Sequence, residues 1–156
     1  MNHSLEHADW TKRAGLAALT RALGPENIRW VGGAVRDGLL EIPVHDVDCA
    51  TVLRPEAVID QCAEAGIRTV PTGIEHGTVT AILDDGPVEV TTLRRDVATD
   101  GRRATIRYAS DWKEDAARRD FTINALYAHP LTLRIFDFFG GLDDLDARRV
   151  RFIGDP

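Results

Sequence analysis

Asp46-Val47-Asp48 is the most chemically pointed spacing in this chain of 156 residues. On a strand, side chains alternate with period two, so both carboxylates project from one face while Val47 points to the other. Carboxylates about 7 Å apart repel each other unless a cation lies between them. Hard divalent ions such as Mg²⁺ take carboxylate oxygens and draw their remaining ligands from water and phosphate. The bland alternative is a solvated acidic strand end. Upstream, Val31-Gly32-Gly33-Ala34-Val35-Arg36-Asp37 reads as a strand that turns on two glycines into a helix. Backbone N–H groups exposed at such a turn suit a phosphate, and the missing Cβ atoms let it approach closely. Arg36, on the first turn, can clamp the same oxygens. A tight turn with close helix packing is the other reading.

A third carboxylate is needed for two-metal phosphoryl transfer. Glu89 is the candidate: in Val88-Glu89-Val90 the valines point one way, so Glu89 faces out of the core. Asp84 and Asp85 read as turn formers, and Glu75, near a strand start, is a further contender. Arg118-Arg119-Asp120-Phe121-Thr122-Ile123-Asn124 offers two phosphate-matching cations, an acceptor and an amide in one short run. An Asp or Asn bonded to a 2′-hydroxyl would favour a ribonucleotide, because the deoxy analogue leaves a polar group unpaired. Alternatively Asp120 caps a helix and orients Arg119. Phe121 and Ile123 read as core, His45 and His76 as neighbours of the site, Asp37 as the partner of an arginine, and Cys49 as a buried strand residue.

These residues need elements to hold them. The first 23 residues read as one helix, with Ser4 as N-cap and Leu16, Leu19 and Leu23 on its apolar face, stopped by Gly24-Pro25. Strands are expected at 28–31 and 46–51, with a helix over 34–40 between them. Pro55 suits the first position of a helix that Gly66 ends. Strands follow at 67–70, 76–83 and 87–93, the last two joined by the turn Asp84-Asp85-Gly86-Pro87. Residues 95–110 dissolve into charge, Gly and Thr and read as a loop. A helix opens at Asp111, a hairpin turns at His129-Pro130, and a Gly-Gly turn leads into a short acidic helix. The prediction is one α/β domain with one mixed sheet.

Composition bounds the function. With 44% hydrophobic and 28% charged residues the chain can build an ordinary core. It has no run approaching the roughly 18 to 20 apolar residues of a membrane span, and its first ten residues do not resemble a secretory signal. The two cysteines, Cys49 and Cys62, fit neither a disulfide framework nor a CxxC metal site, so a reduced cytoplasmic setting is expected. A net charge of −6 argues against a broad cationic face for nucleic acid. Arginine nevertheless dominates lysine, which occurs only as Lys12 and Lys113, as a phosphate ligand or GC-rich coding would each produce.

GGAVRD, HDVDCAT, HGTVTAIL, VEVTTLR and RRDFTINALY, in this order, resemble the head domain of class II tRNA nucleotidyltransferases (CCA-adding enzymes) and bacterial poly(A) polymerases, within the polymerase-β-like nucleotidyltransferase superfamily. The resemblance covers about residues 28–156, with residues 1–27 as an N-terminal helix before the head. It implies a nucleotidyltransferase fold, a small mixed sheet flanked by helices. It also implies CTP or ATP as substrate, a tRNA 3′ end as acceptor, and two Mg²⁺ ions, with Mn²⁺ as a substitute. By the same resemblance Asp46 and Asp48 match the metal-binding aspartates and Glu89 the third acidic residue. Gly32, Gly33 and Arg36 match the triphosphate turn. Arg118, Arg119 and Asp120 match the Arg-Arg-Asp motif that contacts phosphate and selects ribose, and Asn124 follows in the same run. Two other readings stay open: a poly(A) polymerase head, and a non-catalytic nucleotide-binding module.

The sequence stops at Pro156, where relatives continue into a helical neck that reads the base and into body and tail domains that hold tRNA. A truncated catalytic head is expected, weak and unselective unless a partner chain supplies the neck.

Overall fold

Alternation along two short stretches builds the centre of the sheet. Val47 and Cys49 are buried where Asp48 is exposed, and Val88 and Val90 are buried where Glu89 is exposed. Each stretch therefore turns one face to a core and the other to the site. The computed structural model describes residues 3–97, 105–109 and 111–154. In chain order its elements are α1 (Ala14–Leu23), β1 (Ile28–Val31), α2 (Gly33–Leu39), β2 (Val47–Thr51), α3 (Pro55–Glu64), β3 (Arg68–Gly73), β4 (Thr78–Leu83), β5 (Gly86–Thr92), β6 (Arg94–Val97), β7 (Thr105–Tyr108), α4 (Trp112–Ala117), β8 (Leu126–Ala128), β9 (Ile135–Asp137) and α5 (Gly141–Asp146).

The fold is mixed α/β. A seven-stranded sheet runs in the order β3-β4-β5-β2-β1-β8-β9. β2 and β5 are parallel, with Val47 opposite Val88 and Asp48 opposite Glu89; the other neighbours are antiparallel. α3 and the β3–β4 hairpin make the crossover that a parallel pair requires. One face of the sheet packs Ile28, Trp30, Val47, Cys49, Val79, Val88 and Val90 against Leu16, Leu19 and Leu23 of α1 and Val58 and Cys62 of α3. On the opposite face a smaller cluster of Val31, Ala50, Leu93, Ala116 and Tyr127 gathers Trp112, Phe136 and Phe138. Asp48 and Glu89 sit exposed on that second face.

Two expectations need correction. The N-terminal helix is confined to Ala14–Leu23, preceded by a 3₁₀ turn at Asp9–Lys12. Ser4 does not cap it; its Oγ accepts the Glu6 N–H in a local turn. The segment does not extend the α-helix because Leu5 and Trp10 are drawn into the core against Gly38, and Arg13 donates to the carbonyls of Val44 and His45. Tertiary docking outweighs propensity there. The loop at 95–110 contains strands: β6 and β7 form a separate two-stranded antiparallel ribbon, so there are two sheets. Its charged residues give no hydrophobic period to read. Of that loop, residues 98–104 and 110 lie outside the described residues. The turn at Asp84-Asp85 has a second role, since Asp85 Oδ2 accepts the Gly15 N–H at 2.9 Å at the start of α1.

Among the described residues no helix is long and apolar enough to cross a membrane.

Candidate active site

β1 delivers the chain to Gly32-Gly33 beside the first residues of β2. Gly32 has φ 77° and ψ −141°, a backbone that only glycine adopts without strain. A Cβ built there would face Asp48 Oδ2 at 3.8 Å. Arg36 N–H donates to the Gly32 carbonyl at 3.1 Å and closes the first turn of α2. The Arg36 guanidinium donates through Nε to Asp37 at 2.8 Å and through Nη1 to Asn124 Oδ1 at 2.6 Å, so Asp37 is the arginine partner expected of it. Asn124 Nδ2 in turn donates to Asp120 Oδ1 at 3.1 Å, which also accepts the Phe121 N–H at 2.6 Å. Arg119 has a different carboxylate, Asp115, rather than Asp120.

A cavity of about 320 Å³ is lined by Gly32, Gly33, Arg36, Asp48, Arg118, Arg119, Asp120 and Asn124. Residues drawn from three separate stretches of sequence thus share one space. A second cavity, of about 430 Å³, is lined by Asp46, Val47, Asp48, Thr80, Pro87 and Glu89. A third, of about 300 Å³, adds His45 and Asp37 around Asp46 and Asp48. Asp48 belongs to all of them and is where a basic space meets an acidic one. A larger cavity of about 540 Å³, lined by His7, Trp10, Arg13 and Ile42 among others, contains none of these carboxylates.

Electrostatics follow from that junction. Partial burial, then the Glu89 carboxylate, push the Asp48 carboxyl above its ordinary range; Arg119 pulls it down and Asp46 adds a smaller upward push. The three acids line one cavity, yet among the described residues no three His, Cys, Asp or Glu side chains converge tightly enough to hold a metal ion by themselves. Asp46 and Asp48 supply hard oxygen donors, which fit Mg²⁺ or Mn²⁺ completing its shell with water and phosphate. Cys49, fully buried behind Asp48, has its thiol driven far up by desolvation and is chemically silent. Glu75 and His76 lie exposed on a 3₁₀ turn after β3, face each other at 3.7 Å, and line none of these spaces.

The model of the poly(A) polymerase head domain matches residues 28–151. The chain belongs to this family. This head domain is 45% identical over 143 residues to mouse CCA tRNA nucleotidyltransferase 1, mitochondrial, covering 90% of this chain and 33% of the mouse protein. Its fold matches the crystal structure of the Bacillus stearothermophilus CCA-adding enzyme in complex with CTP at a TM-score of 0.75 and 35% identity, covering 89% of this chain and 32% of that one. The Thermotoga maritima CCA-adding enzyme complexed with tRNA matches at a TM-score of 0.68 and 28% identity, again over 89% of this chain and 32% of its own. The chain thus spans about a third of the relatives it matches.

Reading the sequence did not single out the residues that hold the head domain's arginines. Asp115 binds Arg118 and Arg119, and Tyr127 binds both Asp115 and Arg119. The signal for Asp115 was present, since positions three and four residues on along a helix face it. Tyr127 and Thr80 arrive from distant strands and leave no local trace.

Proposed function

We propose that this chain is the catalytic head of a template-independent RNA nucleotidyltransferase, adding CMP and AMP from CTP and ATP to the tRNA 3′ end by two-metal phosphoryl transfer. The observation that carries this is the junction at Asp48, where a cavity bearing arginines and a glycine turn meets a cavity bearing acids. A binding module would need the first space only.

Asp46 and Asp48 would hold the divalent ions, with Glu89 as third acidic group. When bound, such ions acidify an attacking hydroxyl and neutralise the charge of a departing pyrophosphate. The glycine turn lets the triphosphate approach the backbone at Gly32 and Gly33. Arg36, Arg118 and Arg119 grip its oxygens, and their positive charge offsets what develops on the leaving group. Asp120 and Asn124, already bonded to each other, present an acceptor to the ribose 2′-hydroxyl. The space between Glu89 and Thr80 receives the acceptor's 3′ end, so attack comes from the acidic side toward the phosphates on the basic side. A cytoplasmic setting completes the reading, in keeping with two free, buried thiols.

The test is incorporation of labelled CTP and ATP into a tRNA lacking its terminal CCA. Residues 1–156 should transfer weakly and with little preference between the nucleotides, and Asp46→Ala/Asp48→Ala should lose transfer and Mn²⁺ binding together. Unchanged transfer in that double variant would remove the assignment. The family description keeps a second reading alive, a poly(A)-type head; long homopolymer tails on unstructured RNA would favour it.

A further inference from the structure

We propose that Asp115 is a positioning residue for nucleotide transfer, a buried carboxylate that sets Arg118 and Arg119 against the phosphates and ties them to the base of the β6–β7 ribbon. The proposal rests on the reading above that those arginines hold a triphosphate.

Asp115 lies in α4 with its side chain 1% exposed, and every contact it makes points toward the site or its support. Oδ1 accepts from Arg118 Nε at 3.1 Å and from the Arg94 backbone N–H at 3.0 Å, where β6 begins. Oδ2 accepts from Arg119 Nη2 at 3.2 Å and from the Tyr127 hydroxyl at 2.6 Å. A carboxylate has about four good lone-pair positions, so this one is saturated. Arg119 is fixed twice, because its Nε also donates to the Tyr127 oxygen at 3.2 Å. Two bonds from one edge hold a planar guanidinium in a single orientation, and most of its N–H groups remain for a ligand in the cavity it lines.

The alternative is that Asp115 merely neutralises two buried cations for the sake of the fold. The arrangement favours more than that. Neighbouring guanidinium groups repel, and without the carboxylate between them they would part, each abandoning its place on the cavity wall. Arg36, which lines the same cavity, is held by Asp37 and Asn124 instead. Losing Asp115 should therefore misalign one side of the phosphate site and leave the other intact.

The experiment compares Asp115→Asn, Tyr127→Phe and Arg119→Ala in residues 1–156, measuring affinity for ATP and for inorganic triphosphate, steady-state transfer, and folding by urea titration. Asp115→Asn is expected to weaken triphosphate and ATP binding about tenfold, the loss in kcat/KM falling mainly on KM. Tyr127→Phe keeps the ring, which meets Trp112 and Phe138 edge-on, and should weaken both ligands about threefold. Where Asp115→Asn does not fold, a folded Tyr127→Phe with wild-type affinity for both ligands overturns the proposal. If Arg119→Ala itself binds triphosphate normally, the functional reading fails first. If Arg119→Ala is weakened while the other two variants are not, the positioning role alone fails.

Discussion

Gly32 and Gly33 are adjacent in sequence and different in physics. Gly32 occupies a backbone region closed to other residues, and a methyl there would project toward the Asp48 carboxylate. Gly33 begins α2 with no positive φ, and its added Cβ would meet the Arg36 guanidinium, with Nη2 at 3.4 Å. Gly32→Ala should therefore lose about 1 to 3 kcal/mol of stability and most transfer activity. Gly33→Ala should keep or slightly gain stability through helix propensity, while raising KM for the nucleotide by nudging Arg36. Urea denaturation beside steady-state kinetics separates the two outcomes. A Gly33→Ala protein as destabilised as Gly32→Ala would contradict this account of the turn.

At the scale of elements, carboxylates from elsewhere in the chain finish what local sequence begins. α1 has no side-chain cap of its own, and Asp85 from the β4–β5 turn takes the Gly15 N–H. Asp85→Ala should cost about 1 kcal/mol, visible as a lower urea midpoint with transfer kinetics unchanged. Asp144 in α5 is buried and accepts from Thr122, Arg149 and Arg151, joining α5 to the turn that carries Asn124 and to the last described segment. Those bonds, the Thr122 hydroxyl first, hold its carboxyl down to about 2. An unfolded Asp titrates near about 3.9, so the folded state gains fully above that pH and loses the gain as pH falls toward 2. The difference in urea midpoint between wild type and Asp144→Asn should thus be largest at neutral pH and close through that window. The sheet's centre was legible because period-two alternation records burial directly, as at Val47, Asp48 and Cys49. The glycine turn was legible because no other residue adopts the Gly32 backbone without strain. The 3₁₀ entry at Asp9–Lys12 and the β6–β7 ribbon were not, because Trp10 packs against Gly38 and the Arg94 N–H reaches Asp115, partners far away in the chain.

For the whole molecule, charge sets what the head can grip. The net charge is −6, while Arg36, Arg118 and Arg119 converge on one small cavity. A triphosphate is dense enough in charge to be held there. A folded RNA needs cations spread along its backbone, because affinity grows with the number of phosphates neutralised and counterions released. Residues 1–156 should therefore bind ATP far better than they bind the body of a tRNA. At 0.15 M salt we expect a tRNA dissociation constant weaker than about 10 µM, with a shallow dependence of log affinity on log salt, equivalent to about two or three phosphate contacts. Filter binding of a tRNA lacking CCA across a salt series measures both. Submicromolar binding with a steep slope would reveal a cationic RNA face on this acidic chain, and transfer by the head alone would then need no further protein to hold its acceptor.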